Sequence, residues 1–403
     1  MNEPAVTLPF PREPKYGQAE KDAVLKLLDD GHLSEINRGP ATNALEAAFA
    51  RLTGTRHALS FNSGTASLHA ALHAVGADSD TGVAVSPMTW VSALTAVFQA
   101  GSYPVFCDIE PDSPNIAATA VAEAAGICSA VLATHAWGVP ARMDQLAAAA
   151  TDLPVVEDCS HAHGALYQGR PVGSWGAAGC FSLQESKSVS GGEGGILTTM
   201  DRQVYERALT LGHHPARLAA ELTLPDLLPF ATTGAAYKYR MPAVSAVIAR
   251  QQLRSLPDRM LAAEQNLAVL RKALEEYDVP VAWPEIGELS VRGWYGTPLT
   301  ISVRVPDPAE LGRRFKAAGV PVRSLYEDWT QAPLFQHPEL AARFWPHLAH
   351  SPYRPPTQDE LPNYYRALRQ MVVLKVPQIS APDYMEQVAE ALATVLIRTL
   401  VTA

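Results

Sequence analysis

The chain has little cysteine, no excess of positive charge and no long uninterrupted apolar run. Its four cysteines among 403 residues match neither a metal-ligand spacing nor a disulfide-dense framework. We therefore expect reduced thiols, no metal site and a cytoplasmic location. The formal charge of −9 argues against a surface that binds nucleic acid.

No segment resembles a signal peptide or a membrane span. Residues 1–15 are rich in proline and charge and lack an apolar stretch. The most apolar long segment, residues 116–136, is interrupted by Glu123 and His135. It is more typical of a helix followed by a buried strand than of a membrane helix.

What the sequence does contain is an alternation of short apolar runs and helical patterns between about residues 40 and 200. The runs predict strands at 57–61, 82–86, 104–108, 130–134, 154–157, 180–183 and 195–199. Helices are predicted between them at 65–75, 90–100, 117–125 and 143–151. This pattern predicts an α/β fold with a mostly parallel, seven-stranded sheet and helices on both faces.

The pattern changes in the second half of the chain. A long helix is predicted over 242–277, broken near Pro257, then a strand at 299–305, a helix at 308–318 and a closing amphipathic helix at 382–400. The length also exceeds that of one typical core. We expect a large domain over residues 1–255, with an N-terminal arm at 1–15, and a smaller α/β domain over 256–403.

Three motifs lie at or just beyond strand ends. In the first, Ser63, Gly64 and Thr65 follow a strand and begin a helix, which directs free backbone N–H groups toward an anion. An ordinary helix cap is the alternative interpretation. In the second, Asp158 follows two buried valines and can hold a proton on a heterocyclic nitrogen. Alternatively, its carboxylate caps the next turn.

The third motif is Lys187, which follows the strand at 180–183 and precedes the glycine cluster 191–195. A desolvated lysine has a lowered pKa and becomes a nucleophile toward aldehydes. The glycines would let the backbone approach a ligand closely. The alternative is a loop lysine in a flexible turn.

Together, ordered blocks between residues 54 and 257 resemble the pyridoxal phosphate (PLP) dependent sugar and cyclitol aminotransferases of the DegT/StrS kind, which have PLP fold type I. The blocks cover about half of the chain, and the C-terminal third fits more loosely. The matching segments are 63–68, 101–108, 138–144, 157–165, 181–187, 192–195 and 239–241.

The resemblance implies roles for individual residues. Lys187 is similar to the lysine that carries PLP as a Schiff base, and Asp158 to the partner of the pyridine nitrogen. Trp90 is similar in position to the aromatic residue that stacks on the ring, and a core indole at the start of a helix is the alternative. The phosphate ligands that it implies are Gly64, Thr65 and Ser182, to which Ser63 can add a hydroxyl. Family members form homodimers with shared active sites.

Two positions depart from the family pattern. Lys238 stands where the cross-subunit asparagine is usual, and could meet a phosphate as a point charge. His161 stands where a glutamine is usual near the phenolic oxygen of PLP, and could donate a hydrogen bond there. A surface lysine and a packed histidine are the alternatives.

The implied reaction transfers an amino group from L-glutamate or L-glutamine to a keto-sugar or keto-cyclitol. Substrate-pocket candidates are His135, Trp137, Tyr239 and the segment 326–329 with Tyr326, although each could equally pack in the core. One alternative is a PLP-dependent dehydratase or lyase, against which the presence of Lys187 counts. The other is a non-catalytic regulator that kept the fold.

Overall fold

The computed structural model describes residues 6–78, 80–305, 307–323 and 325–401. Residues 1–5 of the predicted arm lie outside this description. The strands are β1 (His57–Phe61), β2 (Gly82–Val85), β3 (Tyr103–Phe106), β4 (Cys128–Thr134), β5 (Val155–Asp158), β6 (Leu166–Tyr167), β7 (Arg170–Pro171), β8 (Ala178–Ser182), β9 (Gly195–Thr199), β10 (Val281–Ala282), β11 (Thr297–Ile301), β12 (Val322–Arg323) and β13 (Met371–Leu374).

The α-helices lie before, between and after these strands along the chain. They are α1 (Gln18–Asp29), α2 (Pro40–Thr53), α3 (Gly64–Ala74), α4 (Val91–Gln99), α5 (Ala118–Ala124), α6 (Met143–Ala150), α7 (Arg202–Gly212), α8 (Pro215–Glu221), α9 (Ala243–Arg254), α10 (Leu256–Glu276), α11 (Pro308–Ala317), α12 (Pro333–Gln336), α13 (Pro338–Ala341), α14 (Pro362–Gln370) and α15 (Pro382–Val401).

The large sheet has seven strands in the order β1-β9-β8-β5-β4-β2-β3. The neighbours from β8 to β3 pair in parallel, whereas β9 pairs antiparallel with both β8 and β1. This confirms the predicted mostly parallel, seven-stranded sheet. Each predicted strand of this sheet lies within two residues of the observed bounds.

Both faces of the large sheet are buried. Along β4, Ala130 and Leu132 belong to one core cluster, and Val131 and Ala133 belong to another. Because successive side chains of a strand point to opposite faces, helices must cover the sheet on both sides. The binding crevice of such a sheet lies at the carboxyl ends of its parallel strands.

The second half of the chain contains a smaller antiparallel sheet with the order β10-β11-β13-β12. The sequence predicted β11, but not the other three strands, of which β10 and β12 are two residues long. Strands this short leave no readable alternation. The predicted helix break is confirmed, since Pro257 lies in the first turn of α10, directly after α9.

Part of the C-terminal half packs against the large sheet. The rings of Phe98 and Phe335 are stacked with centroids 5.6 Å apart, and Phe335, Leu348 and Tyr353 belong to the core cluster that includes Leu68. The chain therefore returns to the large sheet after β12. Among the described residues, no helix has the length and apolarity needed to cross a bilayer.

Candidate active site

A cavity of about 410 Å³ opens beside the carboxyl ends of β5 and β8 and the first turn of α3. We call it the β5–β8 cavity. Its volume lies in the range that small-molecule ligands occupy. Nine of the residues that the sequence singled out line it: Ser63, Gly64, Thr65, Trp90, Asp158, His161, Ser182, Lys187 and Tyr326.

One end of the cavity is formed by the N-terminus of α3. Ser63 caps this helix, since its Oγ accepts a hydrogen bond from the Ala66 N–H at 3.1 Å. A Cβ added to Gly64 would lie 2.7 Å from the Ser182 Cβ, so glycine is needed for this close approach. The first-turn N–H groups and the hydroxyls of Ser63 and Ser182 therefore lie at the positive end of a helix. This arrangement favours the binding of an anion.

The floor of the cavity carries Asp158, the last residue of β5. Its side chain is 5% exposed, and its Oδ1 accepts a hydrogen bond from the Ser160 N–H at 3.1 Å. A buried carboxylate needs a positive or protonated partner. Within the cavity, Lys187 is a positive group of this kind.

Lys187 lies in the loop that follows β8 and is 9% exposed. Its Nζ lies 4.2 Å from the centroid of the Tyr295 ring, and its carbonyl oxygen accepts a hydrogen bond from the Lys15 Nζ at 2.6 Å. Burial lowers the pKa of Lys187, although Tyr295 and Asp158 partly oppose this effect. A larger fraction of neutral amine, and hence of nucleophile, follows.

Aromatic rings form the remaining wall. Trp90 is half exposed and its ring centroid lies 5.6 Å from that of Tyr326. His161 stacks on Tyr295 with centroids 4.1 Å apart and planes within 2° of parallel. Burial, together with Lys187, lowers the pKa of His161 well below its usual value, so this imidazole is neutral.

Four of the predicted site residues do not line the β5–β8 cavity. His135 is fully buried, and its Nε2 lies 3.1 Å from the Glu157 Oε2. Trp137 is stacked behind Tyr326 and is 1% exposed. The Tyr239 hydroxyl lies 3.0 Å from the Nδ1 of His69. Lys238 is exposed and has a left-handed φ of 58°.

His135 does not reach the cavity because both of its ring nitrogens form hydrogen bonds inside the protein. Its Nδ1 accepts a hydrogen bond from the Ala141 N–H at 2.9 Å, so its Nε2 donates to Glu157. Glu157 also accepts from the N–H groups of Gly173, Trp175 and Gly176. The buried pair of His135 and Glu157 therefore holds the turn at residues 173–176 in place.

The sequence missed Tyr295 and Arg323, which come from the C-terminal half. The Arg323 Cζ lies 4.4 Å from the centroid of the Tyr295 ring. Burial raises the pKa of Tyr295, but Lys187, Ser186 and Arg323 together lower it by a larger amount. The net shift of this pKa is therefore downward. Neither residue belongs to a motif, and no local pattern could have identified them.

A second cavity, of about 950 Å³, adjoins the first at Ser186, Lys187 and Tyr295. We call it the cationic cavity. Its acidic lining residues are Glu13, Glu20 and Asp258. Its cationic ones, besides Lys187, are Arg12, Lys15, Arg254, Arg259, Arg323 and Lys375.

The polar groups that line the β5–β8 cavity are those that PLP requires. The N-terminus of α3, with Ser63 and Ser182, suits the phosphate, and the carboxylate of Asp158 suits a protonated ring nitrogen. A desolvated amine at Lys187 suits an aldehyde. These three groups border one space of suitable volume, with the indole of Trp90 as an aromatic wall.

Comparisons with known proteins agree with this chemistry. A curated relative, L-glutamine:2-deoxy-scyllo-inosose aminotransferase of Streptomyces lividus, is 31% identical over 412 residues, which cover 97% of this chain and 95% of the relative. The structure of an aminotransferase from Psychrobacter cryohalolentis has a TM-score of 0.83 and 25% identity, covering 97% of this chain and 100% of that one.

A third similar protein is the aminotransferase TlmJ from Streptoalloteichus hindustanus, with a TM-score of 0.77 and 26% identity over 96% of this chain and 98% of that one. The model of the DegT/DnrJ/EryC1/StrS aminotransferase family matches residues 14–354. The chain therefore belongs to the DegT/DnrJ/EryC1/StrS aminotransferase family and is a PLP-dependent aminotransferase.

Proposed function

We propose that this protein transfers the amino group of L-glutamine or L-glutamate to the ketone of a cyclitol or sugar. The observation that carries the proposal is that Lys187, Asp158 and the N-terminus of α3 border one cavity of ligand size. The relative from Streptomyces lividus, whose name gives L-glutamine as donor and a keto-cyclitol as acceptor, supports the choice of substrates.

Each residue has a proposed role toward the cofactor. The N–H groups of Gly64 and Thr65 and the hydroxyls of Ser63 and Ser182 would bind the phosphate, and Trp90 would cover one face of the ring. Asp158 would hold a proton on the ring nitrogen. When bound, PLP supplies an aldehyde that accepts the amino group and a ring that withdraws electrons.

Lys187 is the proposed catalytic base as well as the attachment point. Burial lowers the pKa of its amine, so Nζ is more often unprotonated, and hence able to take up a proton, than the amine of an exposed lysine. Asp158 lies in the same cavity and stabilises the protonated amine. A proton taken from the carbon of the amino donor can therefore be held at Lys187 Nζ.

Replacement of Lys187 by alanine tests the assignment. Lys187→Ala is expected to abolish both the absorbance band of the covalent lysine–cofactor adduct and turnover, because the reactive amine is lost. Borohydride reduction followed by peptide mapping should place the covalent adduct of the unmodified protein at residue 187. The variant Lys272→Ala, which removes an exposed lysine of α10, should retain both signals. Amino transfer by Lys187→Ala would contradict the assignment.

Isotope transfer tests the substrates. The enzyme is incubated with L-glutamine or L-glutamate carrying ¹⁵N at the α-amino group, together with a panel of keto-cyclitols and keto-sugars. Mass spectrometry should detect ¹⁵N in an amino-cyclitol or amino-sugar product. Release of labelled ammonia without a labelled product would favour a lyase reaction instead.

We propose a homodimer in which Lys238 of one subunit reaches the β5–β8 cavity of the other. Lys238 is exposed and does not line the cavity of its own chain. Its segment also exposes apolar side chains, since Leu228, Phe230 and Tyr237 are each about half exposed. Exposed apolar surface of this kind is typical of an interface.

A mixing experiment tests the shared site. Lys238→Glu is expected to weaken PLP binding, and Lys187→Ala cannot attach PLP. In a mixed dimer, one cavity would combine an intact Lys187 with an intact Lys238 from the partner. Mixing the two variants should therefore restore activity, whereas activity that stays at the level of the separate variants would contradict the shared site.

We also propose that residues 1–255 and 256–403 form the two domains, and that the enzyme is cytoplasmic. A separate core cluster, which runs from Ala263 to Leu396, supports the second domain. The cysteines are free and buried, as expected in a reducing compartment, and burial raises the pKa of Cys107 to about 12.

A further inference from the structure

His161 uses both ring nitrogens in hydrogen bonds within the protein. Its Nδ1 accepts a hydrogen bond from the backbone N–H of Trp137 at 3.2 Å. Its Nε2 lies 2.8 Å from the hydroxyl oxygen of Tyr326. A backbone N–H can only donate, so Nδ1 carries no proton. The proton of the neutral imidazole therefore lies on Nε2.

The backbone at Trp137 holds this arrangement in place. Trp137 has a φ of 56°, which is uncommon for a residue with a side chain, and its buried ring packs against the rings of Tyr326 and His161, with centroids 4.4 and 5.7 Å away. The N–H of Trp137 therefore has a fixed direction. If His161 were doubly protonated, its Nδ1–H would point at the N–H of Trp137, and two donors would repel each other. The nearby cations Lys187 and Arg323 also disfavour a positive charge on this ring.

The tautomer of His161 decides the direction of the next hydrogen bond. Since Nε2 carries the proton, it donates and the Tyr326 oxygen accepts. The Tyr326 hydroxyl keeps its own proton, because burial raises its pKa well above the usual value. Among the described residues, His161 is the one hydrogen-bond partner of this hydroxyl.

We propose that the Tyr326 hydroxyl donates a hydrogen bond to an electron-rich oxygen of the ligand in the β5–β8 cavity, and that His161 positions Tyr326 for this role. The oxygen belongs either to the ring of the cofactor or to the carbonyl group of the substrate. His161 thus acts through Tyr326, because neither of its nitrogens is left to contact the ligand. This inference concerns the site of the proposed function and rests on it.

The tautomer can be measured without turnover. The purified protein is labelled with ¹⁵N-histidine, and the His161 signals are identified by their absence from the His161→Gln variant. We expect the chemical shifts of a neutral ring with a protonated Nε2, both with and without PLP. A proton on Nδ1, or a doubly protonated ring at neutral pH, would overturn the proposal while leaving the proposed reaction intact.

Two substitutions at His161 test the positioning role. A glutamine can accept from the Trp137 N–H through its oxygen and donate to Tyr326 through its nitrogen, as the imidazole does. A leucine can do neither. His161→Gln should therefore recover most of the kcat that His161→Leu loses, which we expect to be about tenfold to a hundredfold. Equal losses in the two variants would contradict the role.

Tyr326→Phe tests the donor itself. We expect a loss in kcat similar to that of His161→Leu, roughly tenfold to a hundredfold. Tyr353→Phe is the matched control, since its hydroxyl donates to the Phe335 carbonyl at 2.7 Å and lies outside the β5–β8 cavity. It should leave the kinetics and the absorbance of the bound cofactor unchanged.

The absorbance of the bound cofactor separates the two possible acceptors. A shifted visible band and weaker PLP binding in Tyr326→Phe would identify the ring oxygen of the cofactor. An unchanged band with a lower kcat or a higher KM for the ketone would identify the substrate carbonyl. If Tyr326→Phe changes neither the spectrum nor the kinetics, Tyr326 is not a donor to the ligand and the proposal is wrong.

Discussion

Two cavities meet at Lys187, and they differ in how their charges are matched. In the β5–β8 cavity, whose charged lining residues are Asp158, Lys187 and the exposed Glu193, the buried Asp158 carboxylate and the N-terminus of α3 border the same space as the amine of Lys187. In the cationic cavity, the cations outnumber the three carboxylates. The smaller cavity is therefore organised for a ligand with separate positive and negative ends.

The charge imbalance of the cationic cavity is visible in the titration of Lys15. Burial, Arg259 and Arg323 lower the pKa of Lys15 to about 8, and Glu185 only partly opposes them. Crowded cations destabilise the protonated form of one another, because each adds a positive potential at the next. The two cavities share Lys187, and the β5–β8 cavity differs from the cationic cavity by the buried carboxylate of Asp158 at the end of β5.

The largest expected effect comes from removing that carboxylate. Asp158→Asn should lower kcat by roughly a hundredfold to a thousandfold while leaving the phosphate contacts in place, because an amide cannot stabilise a protonated ring nitrogen. Steady-state kinetics and PLP titration measure the two quantities.

Asp144→Asn is the matched control for Asp158→Asn. Its carboxylate accepts a hydrogen bond from the Tyr167 hydroxyl and does not line the β5–β8 cavity. A loss of less than about tenfold in Asp158→Asn would contradict the role proposed for this carboxylate.

An intermediate effect is expected at the phosphate end. Gly64→Ala would bring a Cβ to 2.7 Å from the Ser182 Cβ, which forces α3 and β8 apart. We expect PLP affinity to fall by about tenfold or more, with a loss of ~1–3 kcal/mol in the free energy of unfolding.

Gly126→Ala provides the control for Gly64→Ala. Its added Cβ would meet no heavy atom within 4 Å, so affinity and stability should hardly change. PLP titration and denaturant unfolding check both variants. Undiminished PLP affinity in Gly64→Ala would show that this helix terminus does not bind the phosphate.

The smallest effect is expected in the cationic cavity, where Lys15→Gln should change the dependence of stability on pH. The folded chain releases the Lys15 proton at a pKa of about 8, whereas the value for an unperturbed lysine is 10.5. Unfolded chains therefore bind more protons between these values, so the stability of the unmodified protein rises with pH there.

The variant lacks this rise, so its advantage over the unmodified protein should be greatest below pH 8 and shrink toward pH 10.5. We expect a difference of ~1 kcal/mol, after allowing for solvent screening of a partly exposed group. Urea unfolding across this pH range measures it. A difference that is constant with pH would mean that the cavity does not destabilise the charged lysine.

Much of the large sheet, and the part of the site that the large sheet carries, could be predicted from local sequence patterns. Asp158, Ser63 and Lys187 each lie at or just after a strand, and the carboxyl ends of parallel strands meet at one edge of a sheet. Tyr295 and Arg323 could not be predicted, because their neighbours in sequence carry no pattern that distinguishes them from core or surface residues.

The sequence by itself determined the order of strands and helices in the large domain and the identity of the groups at the strand ends. Local apolar periodicity and turns that need glycine are properties of neighbouring residues, so the sequence itself shows them. Only the tertiary structure decided which polar side chains enter the cavity. It buried His135 against Glu157, and it brought Tyr326 to His161 across 165 positions of the chain. Such contacts depend on how distant elements pack, and no local pattern encodes them.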